Sequence, residues 1–472
     1  MAAGAPVVPT ARSGYEGDVS TSSDADPAVM WFRRDLRLAD NPALVSASEA
    51  GPVLPLFVLD PALWGPSGVS RRWYLTESLR SLDASLRRRR TSLSVVRGKP
   101  ERQVVLAAQA VDATRVFVAE DFGPYGRERD ERVEEALDAA GIELVRVGSP
   151  YAVAPGTVVN GSGKNYQVFT PFSRAWADIG WEEPCAAPTG GSWLELDSTV
   201  EIPTVDLPDG LEPPAAGEAA AAQRWADFVD ADVTDYDDER DRPDHDRTSR
   251  MSTHLKYGEI HPRTILADLA GSGGKGRTTY RTEIAWREFY ADVLFRRPDS
   301  ARDYYKPEFA RMSYASPGDD FDAWREGRTG FPIVDAGMRQ LAASGWMHNR
   351  LRMITASFLV KDLHVEWQHG ARHFLGLLAD GDLASNNHGW QWVAGSGTDA
   401  SPYFRIFNPT TQGKKFDPRG DYIRRWVPEL ADVADPHDPS PDDRDRVDYP
   451  HPLVDHKAER QEALDRYAEI KQ

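Results

Sequence analysis

Apolar residues in the first third of the chain come in short uninterrupted runs: AVMWF from Ala28, VLPLFVL from Val53, LSVV from Leu93, RVFVA from Arg115 and IELVRV from Ile142. Amphipathic helical stretches separate them. Runs without polar alternation are buried on both faces, so the pattern predicts an α/β domain over residues 28–150, with a Rossmann-like parallel five-stranded sheet covered by helices. Ligands of such a sheet lie beyond the carboxyl ends of its strands. Residues 151–220 are rich in Pro, Gly and Thr, as in PTGGSWLELDSTVEIPTVDLPDGLEPP, and predict an interdomain connector. From Ala221 helical periodicity takes over and predicts an all-α domain at residues 221–472. The opening stretch, residues 1–27, is Ala, Gly, Ser and Asp without a signal-sequence pattern, and predicts a disordered N-terminus.

Length and charge refine this picture. A chain of 472 residues exceeds what one core supports, in line with two or three domains. The formal charge of −18 argues against a polyanionic partner when averaged over the chain. It is not evenly spread. Residues 245–430 hold 26 Lys and Arg against 22 Asp and Glu, about +4, which leaves about −22 elsewhere. A basic patch on an acidic body is therefore expected, with the Asp-rich stretches 235–246 and 432–448 read as solvated surface. Arg87 to Arg90 end a predicted helix and complement its dipole. Cys185 is the only cysteine, which excludes an intramolecular disulfide and a four-thiolate metal site. No run reaches the ~20 apolar residues of a membrane span, and a cytoplasmic protein is expected.

Four segments carry candidate chemistry. TSRMS, from Thr248 through Ser249, Arg250 and Met251 to Ser252, places hydroxyls and a guanidinium at a predicted helix start, where free N–H groups suit a pyrophosphate. An ordinary N-cap is the competing reading. In EIAWREFY, helical spacing aligns Glu283, Trp286, Arg287 and Tyr290, too polar a stripe for pure core and suited to stacking an aromatic ligand. In GWMHNRLRMITASFLVKDL, Asn349 and Met353 share a face, while Arg350 and Arg352 point to different sides. In DGDLASNNHGWQW, Asp382, Asn386 and Trp390 align and Trp392 falls elsewhere. Asp380 and Asp382 suggest a metal, but His388 lies on another face and Arg352 offers a counter-charge, so no metal site is expected. GSGGKG at Gly271–Gly276 follows a helical segment instead of a strand and reads as a loop. Fourteen Trp make either a large aromatic core or a route for electrons to a bound cofactor.

Together with WFRRDLRLADNPAL at Trp31 and YQVFTPFSRAW at Tyr166, these segments resemble the photolyase and cryptochrome family from Val29 to the final LVDHKAERQEALDRY. The resemblance implies an N-terminal domain holding a light-harvesting antenna and a helical domain holding FAD beneath a cavity open to DNA. It places Tyr236, Thr248, Ser249, Arg250, Met251 and Ser252 on the adenosine and pyrophosphate side of FAD. Arg352, Asp380, Asp382 and Asn386 fall around its ribityl and isoalloxazine part. Glu283, Trp286, Asn349, Met353 and Trp392 match members that repair cyclobutane pyrimidine dimers; (6-4) photolyases carry His where Asn349 and Met353 stand, and plant and animal cryptochromes differ at Asn386. Those two groups are the alternatives to dimer repair.

The activity so implied is light-driven electron donation from reduced FAD to a flipped-out dimer, stacked by Trp286 and Trp392 and hydrogen-bonded by Glu283 and Asn349. Arg287, Arg350, Arg405, Lys414 and Lys415 are the candidates for phosphate contacts with double-stranded DNA, and possible single-stranded DNA binding follows from the same contacts. The family's electron relay maps onto Trp390, Trp367 and, in place of its outer Trp, Tyr314; Tyr304 and Tyr305 are further candidates for the outer end. Arg72, Asp121 and Lys256 resemble the site for an 8-hydroxy-5-deazaflavin antenna, with methenyltetrahydrofolate as the alternative. A monomer is expected.

Overall fold

The computed structural model describes residues 26–271, 273–399 and 404–471. Residues 1–25 of the stretch expected to be disordered lie outside them, as does Ser272 of the Gly-rich piece. Five strands form at the expected places: β1 (Ala28–Phe32), β2 (Val53–Leu59), β3 (Ser94–Arg97), β4 (Arg115–Val118) and β5 (Glu143–Arg146). They pair in parallel in the order β3-β2-β1-β4-β5. All residues of β1 and β2 are buried, which explains their unbroken apolar text. Met30 and Phe32 pack into one face of the sheet and Val29 and Trp31 into the other. Three covering helices, Pro42–Ala50, Pro100–Ala110 and Pro124–Asp138, open with Pro, whose fixed φ suits the first turn and whose missing N–H costs nothing there.

The strand order reverses between β1 and β4, and the crevice beyond their carboxyl ends is lined by charge. Arg129 pairs with Asp121 at 3.1 Å and with Asp130 at 2.8 Å. Arg33 also pairs with Asp130, and both guanidinium groups lie over buried Trp31, at 4.7 and 5.2 Å.

Residues 151–220, expected as an interdomain connector, also carry packed structure of their own. They contain a helix, Phe169–Ile179, that buries Phe169, Phe172 and Trp176 against the helical half. Trp193 bridges to Val53 at the sheet, and Leu196 packs beneath it. The aromatic spacing of three and four residues creates one apolar helical face, which the turn-rich average composition conceals.

Among the described residues beyond 220, the structure is helical from Glu218–Ala231 to His456–Glu469, with one isolated bridge between Ala315 and Val365. Two apolar clusters fill it, one around Trp225, Phe228 and Phe289 and the other around Trp324, Phe358 and Phe374. The halves meet at Gly258, which closes helix Ser252–Tyr257 with φ +67°; a Cβ there would stand 1.9 Å from the Arg34 carbonyl oxygen. Beside it, buried Glu259 accepts hydrogen bonds from the hydroxyls of Tyr74, at 2.9 Å, and Ser78, at 2.6 Å, across the domain boundary. Among the described residues no helix is long and apolar enough to cross a membrane.

Candidate active site

A cavity of about 490 Å³ opens between the two apolar clusters of the helical half. Helix Lys275–Arg296 lends it Glu283, Trp286, Arg287 and Tyr290, the face that the spacing predicts. Helix Asn349–Lys361 contributes Asn349, Arg350, Arg352 and Met353. The Asp380–Asp382 turn and helix Leu383–Ala394 contribute Asp380, Asp382, Asn386, Trp390 and Trp392.

Two of these helices are fixed by local contacts. Glu288 accepts from the backbone N–H groups of Ala152 and Val153, at 2.5 and 3.0 Å, and from the Trp176 indole N–H at 2.6 Å. Asp382 caps its helix by accepting from the Ser385 N–H at 3.1 Å. Gly370 lets helix Trp367–Leu377 approach Trp390, since a Cβ there would lie 2.1 Å from the indole.

One part of the lining is polar and charged. Tyr236, Ser249, Met251 and Ser252 belong to it, and the Ser249 and Tyr280 hydroxyls are hydrogen-bonded at 2.8 Å. Thr248 and Arg250 do not line the cavity. The Thr248 carbonyl accepts from Arg224, while Arg250, at φ +53°, pairs with Asp246 at 2.8 Å and covers Trp346 at 4.7 Å. Arg352 pairs with Asp380 at 2.7 Å, and Arg34, reaching over from the end of β1, pairs with Asp382 at 2.9 Å. Burial opposes ionisation of Asp382, but Arg34, Lys256 and Arg287 hold its carboxyl below the usual carboxylate range. Lys256 also lines the cavity, and burial beside Arg34 pushes its ammonium down to about 8. The Asn386 side-chain amide donates to the Ala371 carbonyl at 3.2 Å, which fixes its orientation. Among the described residues no group of three or more His, Cys, Asp or Glu is arranged to hold a metal ion.

Glu283, Trp286, Asn349 and Arg350 form a second part of the lining. Glu283 accepts from Arg240 at 2.6 Å; burial raises its carboxyl above the ordinary value, with Arg240 opposing. Trp286 stacks on Phe169 with centroids 3.7 Å apart, and Asn349 is exposed at the rim. Arg350 pairs with Asp241 at 2.6 Å and lies over Phe416 at 4.2 Å. Arg350 also lines a second groove with Asp241, Arg405 and Lys415. Lys414 pairs with Asp435 at 3.0 Å on the surface. Arg287, also a candidate for meeting phosphate, is engaged within the protein. Its guanidinium turns inward to the carbonyls of Pro150 and Leu255, at 3.1 and 3.3 Å, and covers Tyr151 at 4.6 Å. Position i+4 from Glu283 put it on the right face, but the adjacent carbonyls captured its donors.

Trp390 lies 6.1 Å from Trp324 and 4.9 Å from Phe374, centroid to centroid. Trp367 is buried and contacts Tyr304 at 6.4 Å, and Tyr304 in turn stacks at 6.1 Å on Tyr314. The Tyr304 hydroxyl donates to Glu366 at 2.8 Å. Of the antenna candidates, Asp121 pairs with Arg129, Arg72 donates to the carbonyls of Trp64 and Gly65, and Lys256 faces the cavity beside Arg34.

Sequence reasoning missed Arg240, Asp241, Phe169 and Arg34. Arg240 and Asp241 stand in the Asp-rich stretch read as solvated surface. In fact that stretch is paired, Asp237 with Lys275, Asp241 with Arg350 and Asp244 with Arg242. The one available signal was that Tyr236 and Arg240 are a helical turn apart.

A deep cavity combining hydroxyls, balanced charges and aromatic walls, set beside a Rossmann-like sheet domain, defines a two-domain protein built around a nucleotide-type cofactor. Residues 28–189 match the family described as DNA photolyase, and residues 280–469 match the FAD binding domain of DNA photolyase. The deoxyribodipyrimidine photo-lyase of Streptomyces griseus is 42% identical over 440 residues, covering 91% of this chain and 96% of that protein. A bacterial class III photolyase from Agrobacterium tumefaciens, 35% identical, superposes with a TM-score of 0.89 over 96% of this chain and 100% of that one. An archaeal photolyase from Sulfolobus tokodaii, solved with two FAD molecules, is 30% identical with a TM-score of 0.81, covering 94% of this chain and all (100%) of that one. The chain belongs to the DNA photolyase family.

FAD fits the residues present. Asp380 Oδ1 is buried with no hydrogen-bond partner among the described residues, an acceptor that a ligand donor would satisfy. Ser249 and Ser252 offer hydroxyls, and Trp390 and Phe374 offer flat apolar walls.

Proposed function

We propose that this protein is a deoxyribodipyrimidine photo-lyase, which splits cyclobutane pyrimidine dimers in DNA with light. The observation that carries this reading is the convergence of Glu283, Trp286, Asn349, Met353 and Trp392 on the cavity that also contains Arg352, Asp380, Asp382 and Asn386. The activity named for the Streptomyces griseus relative supports it. Asn349 and Met353, where a (6-4) enzyme would place His, favour the cyclobutane lesion.

FAD would be held by Tyr236, Ser249, Met251 and Ser252 at one end and by Arg352, Asp380, Asp382 and Asn386 at the other. When bound and reduced, it supplies an electron on illumination. The chain does the rest. Trp286 and Trp392 stack the extruded lesion, and together with Met353 they keep water from it. Ionised Glu283 accepts a base N–H, and Asn349 adds a polar contact at the rim. Flipping costs a few kcal/mol for a paired base and less for a distorted dimer, so the lesion is selected without sequence readout. Arg350, Arg405, Lys414 and Lys415 meet the phosphates of double-stranded DNA, and single-stranded DNA offers the same contacts. Trp390, Trp367 and Tyr314 form the relay that keeps the cofactor reduced.

The antenna is an 8-hydroxy-5-deazaflavin, for which the family-like residues Asp121, Arg72 and Lys256 speak, with methenyltetrahydrofolate as the alternative. The absorption spectrum of the purified protein separates them. The protein works as a monomer in the cytoplasm, in keeping with its single, unpaired Cys185. The functional test supplies cyclobutane and (6-4) oligonucleotides under blue light; restoration of the first alone supports the reading, and restoration of the second alone overturns it.

A further inference from the structure

Adjacent residues Arg240 and Asp241 engage, with opposite charges, the two groups on which DNA recognition depends. Arg240 holds Glu283 at 2.6 Å. Asp241 holds Arg350 through both oxygens, Oδ2 to Nη2 at 2.6 Å and Oδ1 to Nε at 3.2 Å. A carboxylate gripping a guanidinium at two points occupies the position and geometry that a phosphodiester would take. The pair is largely covered but not sealed, with side chains 17% and 35% exposed, and its open edge is where DNA reaches it. Arg350 lines both the lesion cavity and the groove containing Arg405 and Lys415, so it stands where base and backbone contacts meet.

We propose that Asp241 is a specificity-determining residue, an internal phosphate mimic that releases Arg350 to DNA when a lesion occupies Glu283. The proposal rests on the reading that Arg350 meets phosphate. Undamaged DNA brings charge alone. To use Arg350 it must displace Asp241, leaving a carboxylate facing a polyanion with no new partner. A flipped dimer instead takes the hydrogen-bonding edge of Glu283, and Arg240 loses its partner there. Arg240 is the sequence neighbour of Asp241 and interacts with it electrostatically. The freed Arg240 therefore neutralises Asp241, and Arg350 passes to the backbone at lower cost. Base recognition and backbone grip are coupled through four side chains, which is the differential interaction that discrimination requires.

The test measures binding of flavin-containing protein to dimer-bearing and undamaged oligonucleotides across salt concentrations. Asp241→Asn is expected to raise affinity for undamaged DNA severalfold and to steepen its log–log salt dependence by about 0.9, the share of one phosphate contact. Affinity for the dimer should rise less, so the ratio falls. Glu283→Gln, which frees Arg240 without a lesion, should raise undamaged-DNA binding too, and adding Asp241→Asn to it should change little. Glu134→Gln, which breaks a pair with Arg146 in the sheet domain, controls for the change in net charge. Weaker binding of both DNAs by Asp241→Asn, or an equal gain for both matching the control, overturns the proposal. Asp241→Ser repeats the test if the first variant does not fold. Arg350→Ala judges the underlying reading separately: unchanged binding of both DNAs sinks the phosphate role of Arg350, whereas weakened binding beside a silent Asp241→Asn sinks only the coupling.

Discussion

Phe169 lies flat against Trp286, their planes 7° apart. One face of the indole is thereby occupied from the connector, and its free surface is presented to the cavity. Such a stack contributes about 0.5–1.5 kcal/mol beyond burial. Phe169→Ala should therefore weaken binding of a dimer-containing oligonucleotide by roughly 3- to 10-fold, with undamaged DNA unaffected. Fluorescence titration with both oligonucleotides checks this; equal losses on both would show that Phe169 supports only the fold.

The Glu283 carboxyl titrates above its ordinary value because burial raises it and Arg240 opposes the rise only in part. Repair that depends on the ionised form should fall on the acid side as this group protonates. Arg240→Gln removes the opposing charge in the lesion-free protein, so the acid limb of repair measured at limiting DNA should move to higher pH. A limb that stays put or moves down contradicts the assignment of that limb to Glu283.

Asp382 joins the halves of the molecule through Arg34, and its folded carboxyl is depressed by Arg34, Lys256 and Arg287 against the cost of burial. The stability so gained is fully present above the unfolded value, ~3.9, and is lost as pH falls through the lower folded value. Because the side chains are 19% and 28% exposed, Asp382→Asn should cost about 1–3 kcal/mol at pH 7, less than a fully buried pair. Urea unfolding of both proteins should give that difference at neutral pH and a shrinking one below about pH 4. A difference independent of pH contradicts the role of the charge.

Two tyrosines end the aromatic route from Trp367. Burial pushes the Tyr314 hydroxyl up to about 12 and raises that of Tyr304 as well, so both enter as neutral phenols. Neutral phenols are oxidised readily only if a proton leaves with the electron, and Glu366 accepts from the Tyr304 hydroxyl at 2.8 Å. Transient absorption should show oxidation ending on a tyrosyl radical, with the yield lowered severalfold in Tyr304→Phe and in Glu366→Gln. A long-lived neutral tryptophanyl radical as the end point contradicts this.

The sheet was legible because β1 and β2 are buried along their whole length, so their text had no alternation to confuse with a helix. The Glu283–Tyr290 face was legible because a helical repeat alone places those side chains on one side. Pairings between distant elements leave no such periodic trace. Arg34 meets Asp382 across 348 positions, and nothing in either segment announces the other. Phe169 was hidden in a segment whose Pro and Gly content masked an eleven-residue helix. Arg240 and Asp241 were hidden because an acidic run looks the same on paper whether solvated or paired. The roles of Tyr236 and Tyr314 rested on family resemblance from the start, since neither position is singled out by spacing.

The central claim is that an illuminated flavin-containing cavity, lined by Trp286, Trp392 and Glu283, reverses a cyclobutane dimer. The most direct measurement is recovery of pyrimidine absorbance in a dimer-containing oligonucleotide mixed with the purified, reduced protein, followed under blue light and in darkness. The account predicts recovery under light alone, abolished by removing FAD and strongly reduced in Glu283→Ala. Equal recovery in the dark, or none in the light with FAD bound, would contradict it.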